Sequence, residues 1–390
     1  MIKVGFTIIG GKTGWMGGIN YLKNLLFAIS QTGDNNIQPI LFVGKNVDQK
    51  LLDEFKGLAI IKKESVFDRY SFQWFIDFIL RDVFAINPII NHIIKKNDID
   101  VFSHSFIYGN DLKCLSVNWI PDFQHIHLSY MFSRLNLIVR NYRLRCMSKY
   151  SDAIILSSYD AYNDYVKFAP KHIEKASVIH FVSQTTGFEI KPISYLESKY
   201  NFKGKFFFLP NQFWAHKNHK VAFEAINLLK KEYPDVLLLC SGLLTDNRKN
   251  KHISSLKNFV KNNGLENNIL FLGLISYNDV KLLLYHCITI INPSYFEGWS
   301  SSVEEAKSMG KSMILSNLPV HHEQAEDVAD FFDFNDAPSL SKILLRYWNI
   351  EYNLEDSFTE NDLEKRTKVF GLEYQNLISN MIKRISSCNK

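Results

Sequence analysis

Residues 292–310 run Asn-Pro-Ser-Tyr-Phe-Glu-Gly-Trp-Ser-Ser-Ser-Val-Glu-Glu-Ala-Lys-Ser-Met-Gly, two carboxylates eight positions apart across a loop-to-helix junction. The apolar run Ile288–Ile291 before it reads as a buried strand, Ser300, Ser301 and Ser302 offer N-cap hydroxyls, and Gly310 stands where a helix C-cap belongs. Glu297 therefore falls on a loop and Glu305 inside a helix. A helix N-terminus presents unpaired N–H groups and partial positive charge, which suit a diphosphate. Glu297 then lies within reach of sugar hydroxyls, and Glu305, about two turns on, within reach of ribose hydroxyls. Taken alone, the two glutamates fit equally an amphipathic helix with Val303 and Ala306 in the core and both carboxylates in water.

The whole stretch from Asn292 to Ser316 resembles the signature of retaining glycosyltransferases of family 4, which have the two-lobed GT-B architecture. The resemblance implies an α/β fold of two Rossmann-like, doubly wound domains facing a central cleft, with a C-terminal helix crossing back to the N-terminal lobe. It also implies Glu297 on the donor sugar, Gly298, Ser300 and Ser301 on the phosphates, and Glu305 on the nucleoside. Trp299 stands where the family usually carries a smaller residue, which leaves the shape of the sugar pocket open.

Length and composition agree with that outline. A chain of 390 residues is long for one core, so two domains are expected. With 46% hydrophobic and 22% charged residues it reads as soluble and globular, while 30 Phe and 18 Tyr point to aromatic surface. No apolar run approaches the roughly 18 residues of a membrane span, and the chain enters a strand pattern at once, as cytoplasmic proteins do. Five scattered cysteines without a CxxC pair exclude a disulfide scaffold. A net charge of +5 is below what nucleic-acid binding requires and leaves an anionic substrate or membrane surface open.

Short apolar runs alternate with helical patterns, which predicts mostly parallel sheets. Strands are expected at Ile2–Ile9, Ile40–Val43, Val101–Phe102, Leu115–Ile120, Ala153–Leu156 and Val178–Val182. After a polar linker at 186–205 they resume at Phe206–Leu209, Val236–Cys240, Ile269–Leu272, Ile288–Ile291 and Met313–Ser316. The expected domains are 1–185 on the acceptor side and 206–364 for the nucleotide sugar, with the site at the carboxyl ends of the strands. On the resemblance, 365–390 forms the helix that packs back on the first domain.

Other motifs bear on chemistry. The run Gly10 to Gly18 holds five glycines, but a P-loop ending in Gly11-Lys12-Thr13 needs glycine where Phe6 stands, and no G-x-G-x-x-G fits. The resemblance places the donor against Gly17 and Gly18, where a flexible turn is the plain alternative. In Leu209–Lys220 it gives Lys217 the charge of the departing diphosphate, with Gln212 where the family usually has arginine, so Arg248 or His216 would have to assist. His216 and His219 lack the further ligands of a zinc site. After the strand at Leu115–Ile120, His125 matches a histidine that approaches the reacting sugar or acceptor; a loop histidine bonded to nearby backbone is the alternative. Asp98-Ile99-Asp100 reads as a charged turn, so no metal or cofactor is expected beyond the nucleoside-diphosphate-sugar substrate.

Residues 130–150 hold Arg134, Arg140, Arg143, Arg145 and Lys149 with no acid, interleaved with apolar residues, and an aromatic stretch covers Phe67–Phe84. Such a face fits anionic lipid or, equally, solvent. The resemblance implies a metal-independent, hexosyltransferase-type enzyme of bacterial surface-polysaccharide assembly (O-antigen or capsule). Its acceptor would be a glycan, lipid-linked if the membrane reading holds, and its place peripheral to the inner face of the plasma membrane. A sugar-nucleotide epimerase of the same fold and a non-catalytic glycan- or lipid-binding subunit are the alternatives.

Overall fold

The computed structural model describes residues 1–9, 16–185, 187–245, 251–350 and 360–388. The chain forms two compact units, one of residues 1–182 with 361–390, the other of 183–360.

The first unit opens with β1 (Ile2–Ile8), α1 (Met16–Ser30), β2 (Ile37–Val43), α2 (Gln49–Asp53) and β3 (Ile60–Lys63). It continues through α3 (Phe72–Phe84), α4 (Pro88–Asn97), β4 (Val101–Ser103), β5 (Leu115–Ile120) and α5 (Gln124–His127). Then follow α6 (Arg134–Tyr150), β6 (Ala153–Leu156), α7 (Tyr159–Phe168) and β7 (Ala176–Val178). All seven strands are parallel, in the order β3-β2-β1-β4-β5-β6-β7.

The second unit holds α8 (Ile193–Tyr200), β8 (Phe207–Leu209), α9 (His219–Leu229), β9 (Leu238–Ser241), α10 (His252–Asn262) and β10 (Ile269–Gly273). It is completed by α11 (Tyr277–His286), β11 (Ile290–Asn292), α12 (Ser301–Ser308), β12 (Met313–Ser316), α13 (Pro319–Ala325), β13 (Ala329–Phe332) and α14 (Ala337–Asn349). Its six strands are also parallel, ordered β10-β9-β8-β11-β12-β13.

Both sheets are buried on two faces, which is why their strands read as unbroken apolar runs. In the second unit Phe207, Leu238 and Ile291 face α9, α10 and α14, while Phe208, Leu239 and Ile290 face α8, α11 and α12. The expected doubly wound architecture is present in each unit. Residues 186–205, expected as a linker, require a correction: they include α8, whose Leu196 is in the second unit's core because its apolar side has the α11 face to bury against. The last helix, α15 (Glu360–Cys388), returns to the first unit. Its Phe370, Tyr374 and Ile378 are buried, and Tyr374 donates to Ser103 Oγ at 2.8 Å. Gly371 permits the close crossing, since a Cβ there would meet Ala28 O at 2.3 Å. Among the described residues no helix is long and apolar enough to cross a membrane.

Candidate active site

In each sheet the chain reverses its winding direction at one place, between β1 and β4 and between β8 and β11, and open α/β sheets bind ligands at the carboxyl ends of such strands. In the second unit that point is bridged directly: Asn211, just past β8, donates from Nδ2 to Oδ1 of Asn292, the last residue of β11, at 3.2 Å. Asn292 is the hub of the site. Its Nδ2 donates to Ser300 Oγ at 2.8 Å and lies 3.4 Å from Glu297 Oε1, while its Oδ1 accepts from Ser294 Oγ at 2.7 Å. Ser302 Oγ closes the ring by donating to Asn211 Oδ1 at 3.1 Å. All six residues are buried. Replacing Asn292 with alanine orphans several buried partners at once and is expected to cost about 2–3 kcal/mol, read as a lower denaturant midpoint at unchanged slope.

Gly242, following β9, makes room for the loop after β8. Its φ is +139°, and a Cβ would meet Asn211 O at 2.5 Å. The chain then makes a tight turn at Ala215–Lys217, with Asn218 in the left-handed region and its Nδ2 on Phe334 O at 2.7 Å. The turn aims Lys217 at the loop after β11. There Lys217 Nζ meets Glu297 Oε1 at 2.6 Å, Ser294 Oγ donates to the same oxygen at 2.6 Å, and the Tyr295 N–H donates to His216 O at 2.8 Å. Burial alone would raise the Glu297 carboxyl; Lys217, His321 and His216 outweigh it and hold the pKa down at about 2. Glu297 is therefore an ionised, hydrogen-bond-accepting group inside the fold, not a solvated loop residue.

Helix α12 begins one residue past Ser300. The Ser300 hydroxyl bonds Asn292 and Ser302 rather than the helix end, so Ser300 occupies the N-cap position without a side-chain cap. Gln324 of α13 supplies a brace: its Oε1 accepts from Ser300 N at 3.2 Å, and its Nε2 donates to Ser300 O at 2.9 Å and to Glu304 Oε2 at 3.1 Å. The N–H groups of Ser301, Ser302 and Val303 occupy the helix's first turn, where no intrahelical acceptor exists. Gly310, at φ +62°, ends the helix as expected, with Lys311 N on Ala306 O at 2.9 Å.

Glu305 lies one turn into α12, buried, with Tyr277 OH donating to its Oε1 at 3.1 Å. Burial pushes its carboxyl up to about 7, against the opposing pull of the Tyr277 hydrogen bond and Lys281. His321 is buried near Glu297, its ring Nδ1 2.8 Å from Ser316 O; burial lowers its imidazole against the opposing pull of Glu297 and the Ser316 carbonyl.

Other expected site residues fall elsewhere. Gln212 Oε1 accepts from Leu243 N at 2.8 Å, so this side chain straps the loops after β8 and β9 together instead of pointing wholly at a ligand. Gly298 and Trp299 are half-buried. His219 stacks on Phe213 with ring centroids 4.2 Å apart and belongs to the core. Asp98 caps α4 in the left-handed region and Asp100 Oδ2 accepts from Lys3 N at 2.8 Å, the expected charged turn. In the first unit, His125 is buried on α5, its Nε2 3.1 Å from Asn141 Oδ1, while Asp122 caps Gln124 N at 2.9 Å. Gly17 and Gly18 open α1; Gly10–Trp15 and Arg248 lie outside the described residues. Sequence reasoning missed His104, at the first unit's own reversal point beyond β4. It has φ +52°, and its ring is bonded to Tyr21 OH at 3.0 Å and Ser103 Oγ at 2.8 Å.

Residues 196–365 match the family model described as glycosyl transferases group 1. That match covers nearly all of the second unit, the one that carries the Asn292 network. The chain is also 22% identical over 210 residues to the O-antigen chain mannosyltransferase RfbU of Salmonella typhimurium, covering 54% of this chain and 55% of that protein. It thus spans about half the length of that relative. Identity to the alpha-1,3/1,6-mannosyltransferase ALG2 of Dictyostelium discoideum is 23%, over 81% of this chain and 82% of that one. Among solved structures, a glycosyltransferase from Rickettsia africae aligns with TM-score 0.69 and 16% identity, covering 98% of this chain and 99% of its own. Anabaena HepE in complex with UDP and glucose aligns with TM-score 0.66 and 16% identity, over 100% and 99%. These likenesses establish the GT-B fold.

Proposed function

We propose that the protein is a retaining, metal-independent glycosyltransferase that moves a hexosyl group from a nucleoside-diphosphate-sugar to a hydroxyl of a lipid-linked glycan in bacterial surface-polysaccharide synthesis. It would work on the inner face of the plasma membrane. One observation carries the proposal: at the β8/β11 reversal a half-buried ammonium, Lys217, an ionised carboxylate, Glu297, and the open first turn of α12 stand together on one hydrogen-bonded frame.

Each part has a task. The first-turn N–H groups and Lys217 meet the diphosphate, and Lys217 offsets the charge that builds as the sugar–phosphate bond breaks. Glu297, accepting only, orients sugar hydroxyls, and Glu305 takes the nucleoside end through its ribose. The acceptor oxygen bonds to the anomeric carbon on the face the phosphate leaves, and its proton passes to a departing phosphate oxygen. His125, kept neutral by burial, serves the acceptor side. The named mannosyltransferases and the UDP-bound HepE structure support a sugar-nucleotide donor.

Product analysis tests this. Nucleoside diphosphate should appear with a glycan whose newly added sugar keeps the anomeric configuration it had in the donor, and EDTA should leave the rate unaltered. An altered donor sugar formed without acceptor identifies an epimerase, and neither hydrolysis nor transfer identifies a binding subunit.

A further inference from the structure

Two helices of the first unit carry their apolar stripes outward. On α3, Phe72 and Val83 are 79% and 65% exposed and Phe75 lies between them on the same side. On α6, Leu135, Ile138 and Tyr142 are spaced three and four apart, and the first two are 69% and 66% exposed. A soluble helix normally turns such a stripe inward. The two helices are tied together: Arg143 is paired with Asp82 through Nη2 at 2.7 Å and Nε at 2.9 Å, its guanidinium lies 5.1 Å from the Phe78 ring, and Tyr142 OH donates to Asp82 O at 2.6 Å. Arg143 is thus a clamp between the helices, while the exposed Arg134 and Arg145 run along one border of the α6 stripe and Lys149 continues its line; Arg140 lies on the opposite side, over the Phe132 ring. No acid occurs from residue 134 to 150.

We propose that the paired faces of α3 and α6 form a docking surface for an anionic lipid bilayer, aromatic and aliphatic side chains entering the headgroup boundary and the arginines and lysine meeting lipid phosphates. A second copy of the chain fits poorly, because a two-fold contact would set this acid-free border against itself, cation to cation. The inference rests on the first unit's surface alone, so its failure would leave the transfer chemistry standing.

Co-sedimentation of the purified full chain with vesicles tests it. Binding to phosphatidylcholine vesicles containing about one-third phosphatidylglycerol should exceed binding to pure phosphatidylcholine by about tenfold or more, and should weaken steeply with added salt. The variants F72S/F75S and L135S/I138S alter exposed side chains, so they should melt like the parent while each loses about tenfold in vesicle binding. Equal binding to both vesicle types, undiminished binding by both variants, or a lipid-free dimer dissociated by L135S/I138S would overturn the proposal.

Discussion

Lys217→Ala is expected to lower turnover by about two to three orders of magnitude, the scale for loss of one preorganised charge at a developing anion. The same change should destabilise the fold, because Glu297 is left as a buried charge without its ammonium, a loss of about 3–5 kcal/mol for a pair broken on one side. The pH dependence separates the two effects. With its pKa depressed from 4.5 to about 2, Glu297 contributes stability that is present above about pH 4.5 and is lost as pH falls through 2. Without Lys217 burial dominates and drives that carboxyl upward. The stability deficit should therefore be largest at neutral pH and shrink in acid, where the variant's carboxyl is protonated. Denaturant unfolding at pH 7 and pH 4 beside steady-state turnover checks this, and a variant with parental turnover would refute the role of Lys217.

The two glutamates should respond in opposite ways. Glu305→Gln keeps an acceptor for Tyr277 but removes a carboxyl whose pKa burial raises from 4.5 to about 7. A raised carboxyl stabilises fully below about pH 4.5, and that contribution is lost as pH rises through 7. The variant should therefore melt about 2–4 °C or more above the parent at pH 8, with the difference gone below about pH 4.5. Its affinity for free nucleoside diphosphate should nevertheless fall by about tenfold, as befits losing charge-assisted hydrogen bonds of about 1.5–3 kcal/mol. Glu297→Ala should abolish transfer yet retain nucleotide binding. Calorimetry with the reverse pattern would exchange the assignments of the two residues.

Much of this molecule is legible in its sequence because both sheets are parallel and covered. Leu115–Ile120, Ala153–Leu156 and Met313–Ser316 fall where the apolar runs place them. The strands the runs do not reveal are β3, Ile-Ile-Lys-Lys, and β13, Ala-Asp-Phe-Phe, and β7 (Ala176–Val178) shares only Val178 with the run expected at Val178–Val182; all three stand at a sheet edge, where one flank lacks a partner strand and polar residues are tolerated. Helix α8 was hidden because its polar face, with Lys199 on Asp279 at 2.7 Å, outweighs the single buried Leu196. At the candidate site, Lys217, Glu297 and Glu305 were legible through the resemblance of the stretches that hold them, the spacing of the two glutamates alone fitting a solvated helix equally. Asn292, Gln324 and His321 were not, because a neutral amide or imidazole acquires its role only when the strand order brings distant loops together. The one available signal for Asn292 was its place as the polar residue ending an apolar strand.

On the proposed reading the second unit holds a nucleoside-diphosphate-sugar on Lys217 and the first turn of α12. The most direct measurement is thermal melting of the protein against a panel of such sugars, since a ligand bound to the native state raises its melting temperature by mass action. At least one donor should give a saturable rise that Lys217→Ala abolishes or sharply weakens. A melting temperature unmoved by every member of the panel, or a rise that Lys217→Ala leaves intact, would contradict the account.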